Sequence, residues 1–188
     1  MSYAPTPSQT VGPFFSIGLS ALCREKIECG PGEGKRVLIR GRVFDGDGRP
    51  VPDAVLEIWQ ACEVARGDCD QEARARGEKI PAGFGRIATN ERGEFQFSTI
   101  KPAPRQDEDG LMLAPHLAVV VLMRGLLRHL LTRVYFAGEA TNREDAVLNL
   151  VPPERQQTLL AEPANERASE LSWDIHLQGE LETVFFEA

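Results

Sequence analysis

Residues 171–178 alternate without a break: Leu171, Trp173, Ile175 and Leu177 are apolar, while Ser172, Asp174, His176 and Gln178 are polar. In an extended chain successive side chains point to opposite faces, so this period of two predicts a strand with one face in a core and the other in water. A helix would spread the same four apolar groups around its circumference. The pattern recurs in residues 36–44, where Val37, Ile39 and Val43 share a face. It recurs again where Phe95 and Phe97 alternate with Glu94, Gln96 and Ser98. Asp45, Gly46, Asp47 and Gly48 supply a tight turn, after which residues 53–60 read as a second strand carrying Trp59. Residues 118–123 are apolar throughout, as expected of a central strand buried on both faces. Helix is scarce. Pro153 suits a first helical turn and residues 154–162 follow with helix formers, while Asn142 suits the cap of a short turn over residues 145–148. Residues 126–131 fit helix or strand equally. The sum predicts a mainly β protein, a single-domain β-sandwich with minor helix.

The first 20 residues stand apart. Pro5, Pro7 and Pro13 oppose a helix, so this stretch is expected to be an extended N-terminal arm anchored by Phe14, Phe15 and Ile17, with residues 21–188 forming the sandwich. Residues 24–35 are charged and glycine-rich and read as a loop.

The chain's 188 residues can bury a sizeable core. Its 21 basic and 28 acidic residues leave a net charge of −7, which argues against nucleic-acid and anionic-membrane binding, both driven by basic patches. A small anionic substrate would be repelled overall and would need a specific arginine to hold it. The longest apolar run is far short of a membrane span, and the N-terminus lacks a basic segment followed by an apolar one, so a cytoplasmic protein is expected. Cys23, Cys29, Cys62 and Cys69 include no C-x-x-C pair and are expected to be free thiols. No Ser-His-Asp or Cys-His arrangement, phosphate loop or zinc spacing stands out, and the Asp45–Gly48 turn is followed by Arg49 and Pro50 rather than by the later oxygen ligands of a calcium loop.

Several blocks together carry a resemblance. These are TPSQTVGPF at residues 6–14, GRVFDG at 41–46, EIWQA at 57–61, TIKP at 99–102, APH at 114–116, TRVYF at 132–136, and the ending LQGE (177–180) with ETVFFE (182–187). They resemble the intradiol ring-cleaving dioxygenases along nearly the whole chain, and the ending resembles the alpha chains of the family's two-chain members. The resemblance implies a catechol ring opened by dioxygen between its two hydroxylated carbons, at ferric iron held by two tyrosines and two histidines.

Here that ligand set is largely missing. The tyrosine that the family places after its Lys-Pro dipeptide is absent, because Lys101, Pro102, Ala103 and Pro104 lead to Arg105. No tyrosine lies between Trp59 and Gly83, and the family's H-x-H becomes His116, Leu117 and Ala118. His116 is then a relic ligand position, packed and hydrogen-bonded. Tyr135 lies in a family block away from any ligand position and is expected to be a core aromatic with its hydroxyl satisfied. His129 and His176 carry no motif. The resemblance therefore implies a non-catalytic alpha subunit that binds no metal itself and serves an iron-binding beta subunit. It implies that Thr10, Gly12 and Pro13 of the arm, and Arg124 after the apolar strand, line the entrance of the partner's site for a carboxylated catechol. Phe14 replaces the tyrosine usual in that arm, and the stretch from 63 to 83 departs from the family, being rich in Arg, Glu and Asp. A different reading rests on residues 41–61 alone: a stand-alone prealbumin-like sandwich acting as a binding or assembly module.

Overall fold

The computed structural model describes residues 7–12, 14–27, 29, 34–62, 82–165 and 169–187. Among the described residues eleven strands follow one another: β1 (Arg36–Phe44), β2 (Val55–Trp59), β3 (Phe84–Ala88), β4 (Glu94–Ile100), β5 (Arg105–Gln106), β6 (Met112–Leu113), β7 (His116–Leu122), β8 (Leu130–Phe136), β9 (Leu160–Pro163), β10 (Glu170–Ser172) and β11 (Ile175–His176). One layer runs β3-β2-β7-β8, antiparallel throughout, with β9 added parallel to β8. The other sets β1 between antiparallel β4 and parallel β10 and β11. Strand β9 also pairs with β10, so it belongs to both layers and closes one side of the sandwich.

In β1 and β4 the inward residues are those the alternation picked out. Val37, Ile39 and Val43 of β1 and Phe95 and Phe97 of β4 fall in one buried cluster with Leu117, Val119 and Val121 of β7. Each such side chain stabilises the fold by about 1.5–3 kcal/mol when fully removed from water. Strand β7 departs from the expected burial on both faces: Ala118, Val120 and Leu122 are only half-buried, so one face is core and the other partly covered.

The alternating segment 171–178 is broken in the middle into β10 and β11. The Trp173 carbonyl oxygen lies 1.7 Å from where a Cβ on residue 41 would stand, so only glycine fits there. Trp173 N–H donates to the Arg40 carbonyl, Asp174 Oδ1 accepts from Arg42 N–H, and the indole Nε1 donates to the Thr158 carbonyl at 3.0 Å. The turn after β1 forms as expected: Asp45 Oδ1 accepts from the Asp47 and Arg49 amides, and Gly48 takes φ +73°.

Four expectations need correction. The arm's apolar stretch is not extended: Phe14–Leu19 winds into a short helix, α1, begun by a hydrogen bond from Phe15 N–H to the Gly12 carbonyl. The prolines all precede α1, where they do not interrupt a helical hydrogen bond. The helix expected over 154–162 stops early as α2 (Pro153–Gln156) and a 3₁₀ turn (Gln157–Leu159), because Leu160 and Ala161 pair with Tyr135 and Phe136 of β8. Asn142 lies inside the 3₁₀ turn Ala140–Glu144 and donates to the Phe136 carbonyl; Asp145 provides the cap instead, accepting from the Val147 and Leu148 amides. Finally, Cys29 and Cys62 form a disulfide, whereas Cys23 is free and Cys69 lies outside the described residues. Packing brings the two half-cystines to a Cα separation of 5.2 Å across 33 residues, a proximity no local spacing announces. Closing a loop of that size restricts the unfolded chain and is worth about 3–4 kcal/mol.

Candidate functional site

The residues singled out in the sequence gather at the two ends of β7. At its start, His116 is half-buried and its Nδ1 donates to the Ala114 carbonyl at 2.7 Å. Loss of water around the ring holds the imidazole below its ordinary pKa, and the nearby Arg133 charge acts in the same direction against the backbone hydrogen bond. The β7–β8 register sets His116 opposite Tyr135, and the rings lie 5.4 Å apart, tilted by 40°. Tyr135 is fully buried and its hydroxyl donates to Asp145 Oδ1 at 3.1 Å. Burial pushes its phenol well above the usual range, so it stays protonated. Asp145, also fully buried, accepts further hydrogen bonds from the Ala114, Val147 and Leu148 amides.

To act as a phenolate, Tyr135 would have to give up the proton it donates to Asp145 Oδ1, and the Arg133 charge that lowers the His116 pKa disfavours a further cation beside the imidazole. Arg105, in the position after the Lys-Pro dipeptide, is exposed on β5. His129 is exposed in the turn before β8, and His176 stacks on Phe44 at 4.9 Å in the other layer. Among the described residues no group of three or more His, Cys, Asp or Glu side chains stands close enough to hold a metal ion. The side chains around His116 do not fit an iron site. Tyr135 is the core aromatic with a satisfied hydroxyl that the sequence suggested.

The other end of β7 is open. Arg124 and Gly125 follow the strand in an exposed turn, and the Gly125 amide donates to Thr10 Oγ1 at 2.7 Å. That bond lays the arm across the strand end, where Gln9, Val11, Leu122, Met123 and Leu126 line a small hollow of about 40 Å³. Gly12 is exposed two residues further along, and Pro13 lies outside the described residues. Arg124 Nε pairs with Asp53 Oδ2 at 2.7 Å, with 59% of the arginine side chain and 20% of the aspartate exposed. So the fold brings Thr10, Gly12 and Arg124 to one edge and leaves His116 at the opposite end of β7, a strand about 20 Å long at ~3.3 Å per residue.

Sequence reading missed Asp53 and Asp145. Asp53 had a signal once the register is known: Val55 pairs with Leu122, and continuing that antiparallel ladder by two residues sets Asp53 against Arg124. Asp145 had none, since an aspartate beside Asn142 reads as one more turn residue. A roomier cleft of about 710 Å³ lies on the outer face of β1 and β4, lined by Arg40, Arg42, Glu94, Gln96 and Asp174. Two of its arginines are paired, Arg42 with Glu94 at 2.7 Å and Arg40 with Glu170 at 3.5 Å. The expected variable stretch at 63–83 falls mostly outside the described residues.

Comparison with known proteins places these features. Residues 12–179 match the dioxygenase family model. The chain is 40% identical over 196 aligned positions to the protocatechuate 3,4-dioxygenase alpha chain of Burkholderia cepacia, covering 97% of this chain and 96% of that one. It is 26% identical over 144 positions to the beta chain from the same organism, covering 74% of this chain and 61% of that one. The solved structure of catechol 1,2-dioxygenase from Pseudomonas arvilla C-1 superposes with a TM-score of 0.59 at 22% identity, over 82% of this chain and 55% of that enzyme.

Proposed function

Because the chain belongs to the dioxygenase family, we propose that it is the non-catalytic alpha subunit of a protocatechuate 3,4-dioxygenase. It works beside an iron-binding beta subunit that opens protocatechuate with dioxygen to 3-carboxy-cis,cis-muconate. The observation that carries the reading is the 40% identity to an alpha chain along nearly its full length, joined to a histidine and a tyrosine already committed to partners within this chain. The beta chain's place among the relatives supports the pairing.

This chain's own part is binding and positioning. The arm, pinned through Thr10 to the Gly125 amide, and Arg124 beside it form a polar edge that faces outward. Set against the mouth of the partner's site, Thr10, Gly12 and Pro13 narrow the entrance. Arg124 offers a fixed cation to the carboxylate of the catechol, offsetting a net charge of −7 that would otherwise repel it. No residue here takes or gives a proton in the reaction, and the iron, with the activation of the catechol toward oxygen that it supplies, belongs to the beta subunit. In this proposal the complex is cytoplasmic. Among the described residues no helix is long and apolar enough to cross a membrane.

The test is iron content and protocatechuate-dependent oxygen uptake of this chain alone and co-expressed with a beta-type chain. The reading expects neither alone and both in a co-purifying complex. Iron and uptake in the isolated chain would overturn it, and two chains that fail to associate would favour a stand-alone binding module.

A further inference from the structure

We propose that Asp53 is a positioning residue for Arg124, holding the guanidinium by one edge so that its other edge is presented to the substrate carboxylate. The inference rests on the reading of Arg124 given above and extends it to a residue outside the arm and the strand end. Three observations carry it. Asp53 Oδ2 stands 2.7 Å from Nε of Arg124 in an ion pair, and an arginine paired on its Nε side keeps donors at its terminal nitrogens for a planar anion. The arginine side chain is 59% exposed, so without a tether it would sample many rotamers.

The tether itself is firm. Asp53 is one-fifth exposed in a turn bracketed by buried Val51 and Ala54. Both are tied to buried Thr89, whose hydroxyl donates to the Val51 carbonyl at 2.8 Å and accepts from the Ala54 amide at 3.0 Å. The carboxylate thus stands just before β2 and the arginine just after β7, past the Val55–Leu122 end of the ladder that joins the two strands.

Asp53 also has an opposing effect, because its negative charge lies near the carboxylate that Arg124 would bind. Two variants separate orientation from charge. Asp53→Asn and Asp53→Ala both remove the charge, but only the asparagine keeps a polar oxygen beside Nε. In the co-purified complex with a beta-type chain, KM would be measured for 3,4-dihydroxybenzoate and for catechol. Fixing a rotamer-rich side chain at a binding surface corresponds to roughly threefold to tenfold in affinity. The expected result is therefore a KM for 3,4-dihydroxybenzoate about threefold to tenfold higher in Asp53→Ala than in Asp53→Asn, with kcat alike and with KM for catechol alike in the two. Arg124→Lys keeps the charge but has no Nε, and it is expected to follow Asp53→Ala even if that variant does not assemble. Equal KM values for the two Asp53 variants, a rise shared by both substrates, or wild-type behaviour of Arg124→Lys would overturn the proposal. Arg124→Ala in the same assay keeps the two levels apart. If it fails to discriminate between the substrates, the role of Arg124 itself is wrong; if it discriminates and the Asp53 pair does not, only the role of Asp53 falls.

Discussion

The two ends of β7 have been put to opposite uses. At the start, His116, Tyr135 and Asp145 face each other and the backbone, and their hydrogen-bonding groups are turned inward. At the end, Thr10 accepts from the Gly125 amide, Arg124 pairs with Asp53, and all of Thr10, Gly125 and Arg124 stay exposed. The difference teaches that polar groups inside the chain and polar groups at its edge are held in different ways: at the start of the strand the Ala114 carbonyl holds the His116 ring and buried Asp145 holds the Tyr135 hydroxyl, so that the buried groups have partners.

The sharpest way to break the comparison is to remove that aspartate. Asp145→Ala strands three backbone amides and the Tyr135 hydroxyl without an acceptor, and is expected to cost about 3–5 kcal/mol. Urea unfolding of the chain reads it, and a change under about 1 kcal/mol would show that the closed end is not held as described. At the open end the effect appears in selectivity instead of stability. Arg124→Ala in the complex should lower kcat/KM for protocatechuate by about 10- to 100-fold, the worth of a charge-assisted hydrogen bond, and spare plain catechol. Equal loss on both would assign Arg124 to packing or assembly.

Smaller still is Thr10→Val, which removes one exposed hydrogen bond worth about 0.5–1.5 kcal/mol. Its signature is faster hydrogen exchange at the Gly125 amide with the global unfolding midpoint little moved. An unchanged exchange rate would mean the arm is held by its apolar contacts alone.

The mildest expected effect is a slope. Burial holds His116 below the ordinary imidazole range, so the unfolded chain binds a proton first as the pH falls. The stability this group contributes is therefore present above about pH 6.5 and is lost as the pH falls from there through the folded pKa. His116→Gln should flatten that decline in a series of melting curves, and a parallel series would place the acid sensitivity elsewhere.

Much of the sandwich was legible because its signal is local. The alternation in residues 36–44 and 171–178 declares which side chains face inward, whatever their neighbours are. The helical stretch at 154–162 was misread for the opposite reason: its residues favour a helix, but Leu160 and Ala161 are claimed by β8, a segment over twenty residues away. The break at Trp173 and the bond between Cys29 and Cys62 are likewise decided by distant chain. In the site, the missing tyrosines and the lone His116 could be read directly, whereas Asp53 and Asp145 act only through partners that folding brings to them.

The sharing of β1 between β4, β10 and β11 also has a consequence for the order in which the protein is made. Strand β1 leaves the ribosome early and meets β4 soon after, but its other neighbours begin at Glu170. The amide of Arg42 waits for the carboxylate of Asp174, 132 residues further on. Throughout most of synthesis one margin of that layer is therefore an unpaired edge, open to mispairing with another nascent chain. Emergence of β10 and β11 is the event that seals it, so ribosome-bound chains halted before Glu170 should be the form of this protein most in need of a chaperone.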